Sequence, residues 1–324
     1  MRDISRYLVL SLLALLLTSP RGTLAEDAYP NRPIRLIVPY GAGGASDVMA
    51  RQFGQRLSER LGQPVLIENQ AGAAGTAAYT MVARAAPDGY TLVYGTSSLA
   101  VNALLRAKPA YDPVADFQPV SMLLAVQNVL VVPTTSPAKS VSELVQLAKA
   151  KPGELNYVSL GPGSTPHLSA ELFRAAAGIN VQQVNYKQTT QAYTDLIENR
   201  VQLWVASLPS ALVHVQSGKL RALAVAGDRR SPALPDIPTL VESGIPAEST
   251  FWQALFAPAG TPADIVKKLN AATHAIVAEP ETRAWYLKIG AELGASSPEE
   301  LGATVRKDME KWTKIANDIG LERN

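Results

Sequence analysis

One unit recurs along this chain: an apolar stretch runs into a short loop of small residues, after which a helical pattern begins. Its first example is residues 34–47, IRLIVPYGAGGASD. Glycines let such a loop adopt φ > 0 and bring peptide N–H groups close to whatever lies above the strand. The next helix turns its unpaired N–H groups and positive dipole end to the same place, with Ser46 or Asp47 as the expected N-cap. The unit predicts a strand, a loop and a helix. The loop is either an anion-binding site or only a tight connection between strand and helix.

The same unit returns further along, and this repetition favours a binding site. Loops rich in small and hydroxyl residues follow the predicted strands Val65–Asn69, Tyr90–Tyr94 and Leu155–Leu160, and a further predicted strand, Val181–Val184, ends at the polar loop 185–190. Strands that alternate with helices predict parallel sheets covered on both faces, which is the α/β class. In such sheets ligands bind beyond the carboxyl ends of the strands, where these loops converge.

Two apolar segments predict that the chain crosses between two domains. The stretch Phe117–Val132 is expected to leave a first domain and enter a second, and Trp252–Ala257 is expected to return. We expect domain I to comprise residues 26–122 plus 250–324, and domain II residues 123–249. From Thr261 onward the pattern predicts helix to the end. Two crossings make a hinge, so the loops of two α/β lobes should face one cleft.

The first 25 residues are typical of a secretory signal peptide. Arg2 and Arg6 precede an apolar block, Leu8–Leu17, and Thr23-Leu24-Ala25 offers a cleavage site after Ala25. The block is too short for a membrane span, which needs about 20 apolar residues. We therefore expect a periplasmic protein.

Charge and cysteine content exclude several classes of protein. Cleavage removes three arginines and one aspartate from 30 basic and 28 acidic side chains, which leaves a neutral mature chain. A nucleic-acid binder or a polybasic membrane binder would carry a clustered basic excess. The chain has no cysteine, so disulfides, thiolate catalysis and cysteine-bound metals are excluded.

Enzymatic chemistry finds little support. The best alternative is a nucleotide-cofactor enzyme, because the GAGGAS loop follows a strand and Glu68 ends the next one, but the dinucleotide fingerprint requires glycine at Ser46. His167, His214 and His274 fall in separate segments, and neither a G-x-S-x-G nor an H-E-x-x-H motif occurs. We expect no catalytic residue, no metal and no cofactor.

The loops at the expected cleft are instead rich in N–H and hydroxyl donors. Lys187 is the one full cation in them, and it is either a solvated surface residue or a charge-assisted contact to an anion. Tyr40 and Tyr186 are either packing residues or walls of the site. We expect Asp47 to act at a helix N-terminus and Glu68 to tie loops together through backbone N–H groups.

Several segments together resemble the substrate-binding proteins of tripartite tricarboxylate transporters, the Bug-type periplasmic receptors. The resemblance spans the mature chain and rests on Val38–Asp47, Glu68-Asn69 with Gly72 and Gly75, Pro87–Leu92, Gly161–Leu168, Glu171–Phe173, Asn185–Lys187, Gly218–Val225, Leu234–Thr239 and Ala257–Pro262.

This resemblance implies a two-lobed type II periplasmic-binding-protein fold, in which each lobe is a mostly parallel sheet flanked by helices and two crossings form the hinge. It also implies a monomer that closes on a small carboxylate and delivers it to a membrane permease. Carried over from the family, the ligand-binding residues are Tyr40, Gly41, Ala42, Gly43, Gly44, Ser46, Thr96, Ser97, Ser98, Gly161, Gly163, Ser164, Thr165, His167, Tyr186 and Lys187. Supporting residues are Asp47, Glu68, Asn69 and Gly72.

Three stretches depart from the family pattern. The family has Pro-Pro-Gly-Gly at 40–44, Tyr-Lys-Gly followed shortly by Pro-Ala where Gln188, Thr189 and Gln191 stand, and Val-Asp at 201–202. Added amide and hydroxyl groups suit a larger or more polar carboxylate. They also leave open a second interpretation, in which the loaded protein is a sensor for a regulatory membrane protein.

Overall fold

The computed structural model describes residues 29–106 and 108–318, and those from Arg32 onward belong to one compact unit. The predicted signal peptide, residues 1–25, and its cleavage point lie outside the described residues. No helix in the described part is long and apolar enough to cross a membrane.

The first lobe begins with three strand–helix units in the predicted places. These are β1 (Ile34–Val38), α1 (Ala45–Leu61), β2 (Val65–Asn69), α2 (Thr76–Ala83), β3 (Thr91–Thr96) and α3 (Ser98–Leu104). The strands are parallel, in the order β3–β1–β2. Four of the five β1 residues are buried, because helices cover both faces of a parallel sheet.

The second lobe repeats the pattern. The chain enters it along β4 (Phe117–Pro133), and its further elements are α4 (Val141–Ala150), β5 (Asn156–Ser159), α5 (Thr165–Ala177), β6 (Gln182–Asn185), α6 (Thr189–Ile197), β7 (Trp204–Ser207), α7 (Leu208–Gln216) and β8 (Leu220–Val225). Strands β5 and β6 are parallel. Two clusters of buried apolar side chains, around Phe173 and around Trp204, form the core of this lobe.

The chain then returns to the first lobe through β9 (Thr250–Pro258), α8 (Ala263–Ala278), α9 (Pro280–Lys288), β10 (Ala291–Leu293) and α10 (Pro298–Asp318). The prediction of uninterrupted helix from Thr261 is wrong at two places. Glu279 has an extended backbone and separates α8 from α9. Gly290, with φ +80°, follows α9, and the next three residues add β10 to β4 as an antiparallel edge strand.

Strand β4 connects the two lobes. Its residues Phe117–Gln127 pair with β9, whereas from Asn128 onward it pairs with β7 and β8. All these pairs are antiparallel, as is the pairing of β3 with β9. The predicted α/β class and two-lobed fold are confirmed. The expectation of mostly parallel sheets holds for β1–β3 and for β5–β6, but not for the strands that cross between lobes.

Helix α1 begins one turn earlier than its apolar pattern indicated. Gly44 is the N-cap, so the expectation of Ser46 or Asp47 at this position is wrong. Asp47 lies in the first turn and accepts a hydrogen bond from the Gly43 N–H at 2.9 Å. The carboxylate therefore stabilises the loop and the positive end of the helix dipole together.

Candidate ligand-binding cleft

A narrow cavity of about 50 Å³, here called the inner cavity, lies between the lobes beside the crossing strands. Its lining comes from both lobes and from β4 and β9. The lining residues are Tyr40, Gly44, Ala45, Ser46, Thr96, Val126, Asn128, Leu160, Thr165, Pro166, Thr189, Trp204, Ser207, Ser210, Phe251, Trp252 and Gln253.

Four helices begin at the inner cavity. Ser46 belongs to the first turn of α1, Thr165 and Thr189 are the first residues of α5 and α6, and Ser207 is the N-cap of α7. Helix N-termini carry unpaired N–H groups and a partial positive charge. No lining residue of the inner cavity bears a full charge. Its electrostatic preference therefore comes from backbone dipoles, which favour an anion.

The first loop, residues 40–46, is held from its own lobe. Asn69 donates to the Tyr40 carbonyl at 3.0 Å and to Asp47 Oδ1 at 2.9 Å, and Arg51 also lies 2.9 Å from Asp47 Oδ1. Burial alone raises the pKa of Asp47, but the hydrogen bonds from Arg51, Gly43 and Asn69 outweigh it and lower the pKa overall. The loop is thus tied to the ionised carboxylate of Asp47, which Asn69 and Arg51 contact.

Tyr40 is fixed by a cluster of buried hydroxyl groups. Its hydroxyl donates to Ser98 Oγ at 3.0 Å, and Ser98 Oγ also lies 2.8 Å from Thr96 Oγ1 and 2.9 Å from the Tyr79 hydroxyl. Burial raises the pKa of Tyr40, so its proton stays available to Ser98. Ser97 instead accepts a hydrogen bond from the Trp252 N–H at 3.0 Å. Of residues 96–98, only Thr96 lines the inner cavity.

The second loop, residues 161–167, is held by its own side chains. Ser164 caps α5 by accepting from the His167 N–H, and His167 Nδ1 accepts from the Gly163 N–H at 3.2 Å. Burial lowers the pKa of His167, so the ring is neutral and free to accept. The imidazole thus closes the loop, while Thr165 lines the inner cavity.

A second space of about 400 Å³, here called the outer cavity, adjoins the inner one and shares Tyr40, Leu160 and Thr189 with it. Gly41, Gly72, Gly161, Tyr186 and Lys187 also line it. Lys187 is exposed there.

The Tyr186 hydroxyl donates to Asp195 Oδ2 at 3.0 Å. Burial, together with this hydrogen bond, raises the pKa of Tyr186 to about 12. Among the remaining predicted residues, exposed Ala42 lines neither cavity and Gly43 faces a separate groove beside α6.

Glu68 does not tie loops together through backbone groups as expected. It accepts two hydrogen bonds, both at 2.7 Å, from Arg35 on the neighbouring strand β1. Alternation along β2 directs this side chain to the surface of the sheet rather than toward the loop beyond the strand. Gly72, with φ +141°, precedes a single 3₁₀ turn, Ala73–Gly75, and both line the outer cavity.

Residues with polar side-chain groups that were not predicted from the sequence also line the inner cavity, among them Asn128, Trp204, Ser207, Ser210 and Gln253. Gln253 Nε2 donates to Ser46 Oγ at 3.3 Å, and Asn128 Nδ2 donates to Ser169 Oγ at 2.9 Å. Within the described residues, Trp204 Nε1 and Gln253 Oε1 are buried without a partner. A signal existed for Gln253, which is the one polar residue in the apolar run 251–257.

Two α/β lobes joined by crossing strands, with an uncharged cavity at four helix N-termini, define the class of solute-binding receptors. A sequence model described as tripartite tricarboxylate transporter family receptor matches residues 49–321, and the chain belongs to this family. Receptors of the family are periplasmic, and the chain is a receptor of the Bug type, not an enzyme. The nucleotide-cofactor alternative is therefore abandoned.

Similar proteins cover nearly the whole chain. Protein BugT of Bordetella pertussis is 34% identical over 92% of this chain and 92% of its own. The R. palustris structure "Rpa4515 with adipate" is 37% identical, with a TM-score of 0.88 over 90% of this chain and 98% of the other. MatC of Rhodopseudomonas palustris with bound malate is 33% identical, with a TM-score of 0.84 over 89% and 99%.

Proposed function

We propose that this protein captures a small organic carboxylate between its two lobes and delivers it to a tripartite-type membrane permease. The observation that carries the proposal is the convergence of four helix N-termini on a cavity without charged side chains. A carboxylate there accepts from unpaired N–H groups and is stabilised by the helix dipoles. The adipate and malate held by the two similar receptors support this ligand class.

The outer cavity extends the proposal to a dicarboxylate. One carboxylate occupies the inner cavity, and the chain of the ligand passes Tyr40 and Thr189, which line both cavities. The second carboxylate reaches Lys187, the cation that lines the outer cavity. Thr189, a departure from the family pattern, then contributes to the choice of ligand.

The proposed roles of the sixteen site residues follow from their positions. Tyr40, Gly44, Ser46, Thr96 and Thr165 face the ligand in the inner cavity, and Gly41, Gly161, Tyr186 and Lys187 face it in the outer cavity. The remaining residues hold the two loops or the lobe contact in shape. They are Ala42, Gly43, Ser97, Ser98, Gly163, Ser164 and His167.

The proposed receptor is a periplasmic monomer, cleaved near Ala25, with domain I at 26–122 plus 250–324 and domain II at 123–249. Ligand binding closes these domains on each other. The change of β4 partners after Gln127 supports two crossings close to these boundaries.

The test is a thermal-shift panel of di- and tricarboxylates, aromatic acids and acidic amino acids with purified mature protein. A ligand present at 100 times its Kd adds about 2.7 kcal/mol of stability, which is an obvious shift. We expect at least one acid to stabilise the protein. Stabilisation by neutral ligands alone would refute the anion site.

A pair of ligands with a matched variant tests the dicarboxylate. Lys187→Gln should weaken binding of the best dicarboxylate about tenfold, because it removes a charge-assisted contact, and leave the monocarboxylate of equal chain length unaffected. Lys149→Gln removes an exposed lysine of α4 and serves as the control. If Lys187→Gln lost affinity equally for both ligands, or lost affinity for neither, the second carboxylate would lie elsewhere.

A further inference from the structure

A third cavity, of about 260 Å³, lies on the side of β4 opposite to the inner cavity. Successive side chains of a strand point to opposite faces of its sheet. Accordingly, Val126 and Asn128 line the inner cavity, whereas Ala125 and Gln127 line this one. We call it the hinge cavity, because β4 and β9 separate it from the ligand cleft.

Both lobes contribute acidic side chains to the hinge cavity. Glu292 comes from β10 in the first lobe, and Asp228 and Glu248 come from loops of the second. Arg229 is the one basic side chain that lines it, and it forms an ion pair with Glu292 across the lobes. No ion pair involves Asp228 or Glu248 within the described part of the chain. The cavity therefore has an excess of negative charge.

Gln127 adds a buried acceptor to this charge. Its side chain is 8% exposed, and its Nε2 donates to the Arg229 carbonyl at 3.1 Å, which fixes the orientation of the amide. The other amide atom, Oε1, has no partner among the described residues, and neither has Thr250 Oγ1 on the paired strand. A buried acceptor without a donor is unfavourable, so the site favours a ligand that donates.

We propose that the hinge cavity binds a small organic cation with N–H donors, an ammonium or a guanidinium group. Such a group donates to Gln127 Oε1 and Thr250 Oγ1, while Asp228 and Glu248 balance its charge. A divalent metal fits less well, because no cluster of three or more acidic or histidine side chains suited to a metal occurs within the described residues. An anion would meet the acidic excess.

Cation binding at this place is coupled to the ligand cleft. Residues of both lobes line the hinge cavity. A bound cation therefore changes the relative free energies of the open and closed arrangements of the two lobes. Any effect of the cation on carboxylate affinity must be matched by an equal effect of the carboxylate on cation affinity. The first experiment nevertheless omits the carboxylate, so its result is independent of the proposed function.

The experiment is calorimetric titration of the mature protein with methylguanidinium chloride and methylammonium chloride at low ionic strength. Tetramethylammonium chloride carries the same charge without an N–H donor and serves as the reference. We expect saturable 1:1 binding of at least one donor cation, with a change in the side-chain amide NMR signals of Gln127. Binding equal to that of tetramethylammonium, or the absence of binding by both donor cations, would overturn the proposal.

Variants locate the binding. Asp228→Asn combined with Glu248→Gln alters two exposed residues and should weaken binding roughly fivefold at low salt. Gln127→Leu removes the buried acceptor and should abolish the difference between donor and reference cations. Glu59→Gln, an exposed acid on α1, is the matched control and should bind normally. Unchanged affinity in the double variant would overturn the assignment even if Gln127→Leu failed to fold.

Discussion

The two glycine-rich loops that line the cleft look alike in sequence but are held in shape by different means. The first, residues 40–46, depends on groups outside itself, since Asn69 and Asp47 hold its carbonyl and N–H groups. The second, residues 161–167, is closed by its own Ser164 and His167. Similar glycine patterns can therefore rest on a charged network in one lobe and on a neutral capped turn in the other.

The glycines themselves also differ in what they do. Gly44 has an ordinary extended backbone, φ −77°, and a Cβ there would lie 3.3 Å from Thr189 Oγ1 of the opposite lobe. Gly163 has φ +82°, and a Cβ there would overlap Asn102 Oδ1, again of the opposite lobe. Gly44 thus provides clearance alone, whereas Gly163 provides clearance and an unusual conformation.

The largest effect is expected for Gly163→Ala. The added methyl group prevents the lobes from approaching as closely as they do around Asn102, so affinity for the best carboxylate of the panel should fall about a hundredfold. The left-handed conformation adds a loss of about 1 kcal/mol in the free energy of unfolding.

Gly178→Ala separates these two contributions. Gly178 has φ +59°, and a Cβ added there would meet no atom within 4 Å, so only the conformational cost remains. We expect urea unfolding to show the same loss in the free energy of unfolding as for Gly163→Ala. Calorimetry should show normal ligand affinity. Equal affinity losses in both variants would mean that the contact with Asn102 is unimportant.

Asp47→Asn tests the charged network of the first loop. Losing a buried carboxylate with three hydrogen bonds should lower the free energy of unfolding by about 2 kcal/mol at pH 7. Because the pKa of Asp47 is lowered by folding, its contribution is present above pH 3.8 and is lost as pH falls through the folded pKa.

Urea unfolding at pH 7 and pH 3 measures this dependence. The difference between wild type and Asp47→Asn should shrink at the lower pH. Asp318→Asn breaks an exposed pair with Lys314 and should cost a few tenths of a kcal/mol at most. A difference that is independent of pH would show that the charge of Asp47 is not what holds the loop.

Sequence reasoning predicted most elements because each has local causes. Apolar periodicity located α1, Gly62 ended it, and the alternation of strands and helices predicted the parallel strands. It did not find Trp204, since the place of this residue at the cavity depends on how the two lobes meet. It also missed Gln253, although this is the one polar residue in an apolar run. The ring of His167 turns into its own loop because Gly163 offers an N–H four residues earlier, a detail that composition does not reveal.

A smaller effect is expected where a glycine provides clearance alone. Gly44→Ala brings a methyl group to 3.3 Å from Thr189 Oγ1, close enough that the hydroxyl must move slightly. Affinity should fall about fivefold, or about 1 kcal/mol, with unchanged stability. Gly294→Ala, at a position outside both cavities where an added Cβ would meet no atom within 4 Å, should bind normally in the same titration. Normal binding by both variants would show that the lobes need not approach this closely.

The smallest effect concerns the neutral turn of the second loop. Burial lowers the pKa of His167, so its contribution to stability is complete above pH 6.5 and declines as pH falls toward the folded pKa. Protonation of His167 removes the acceptor for the Gly163 N–H. The hydrogen bond that is lost contributes about 1 kcal/mol to stability. Urea unfolding between pH 7.5 and pH 5 measures this effect. The free energy of unfolding should fall less over this range in His167→Gln than in wild type. His274→Gln, at an exposed position on α8, should show the same fall as wild type.

A full decline in His167→Gln would assign the pH dependence to another group, such as His214, whose pKa burial also lowers. The second loop would then be independent of pH over the whole range in which the first keeps its charge.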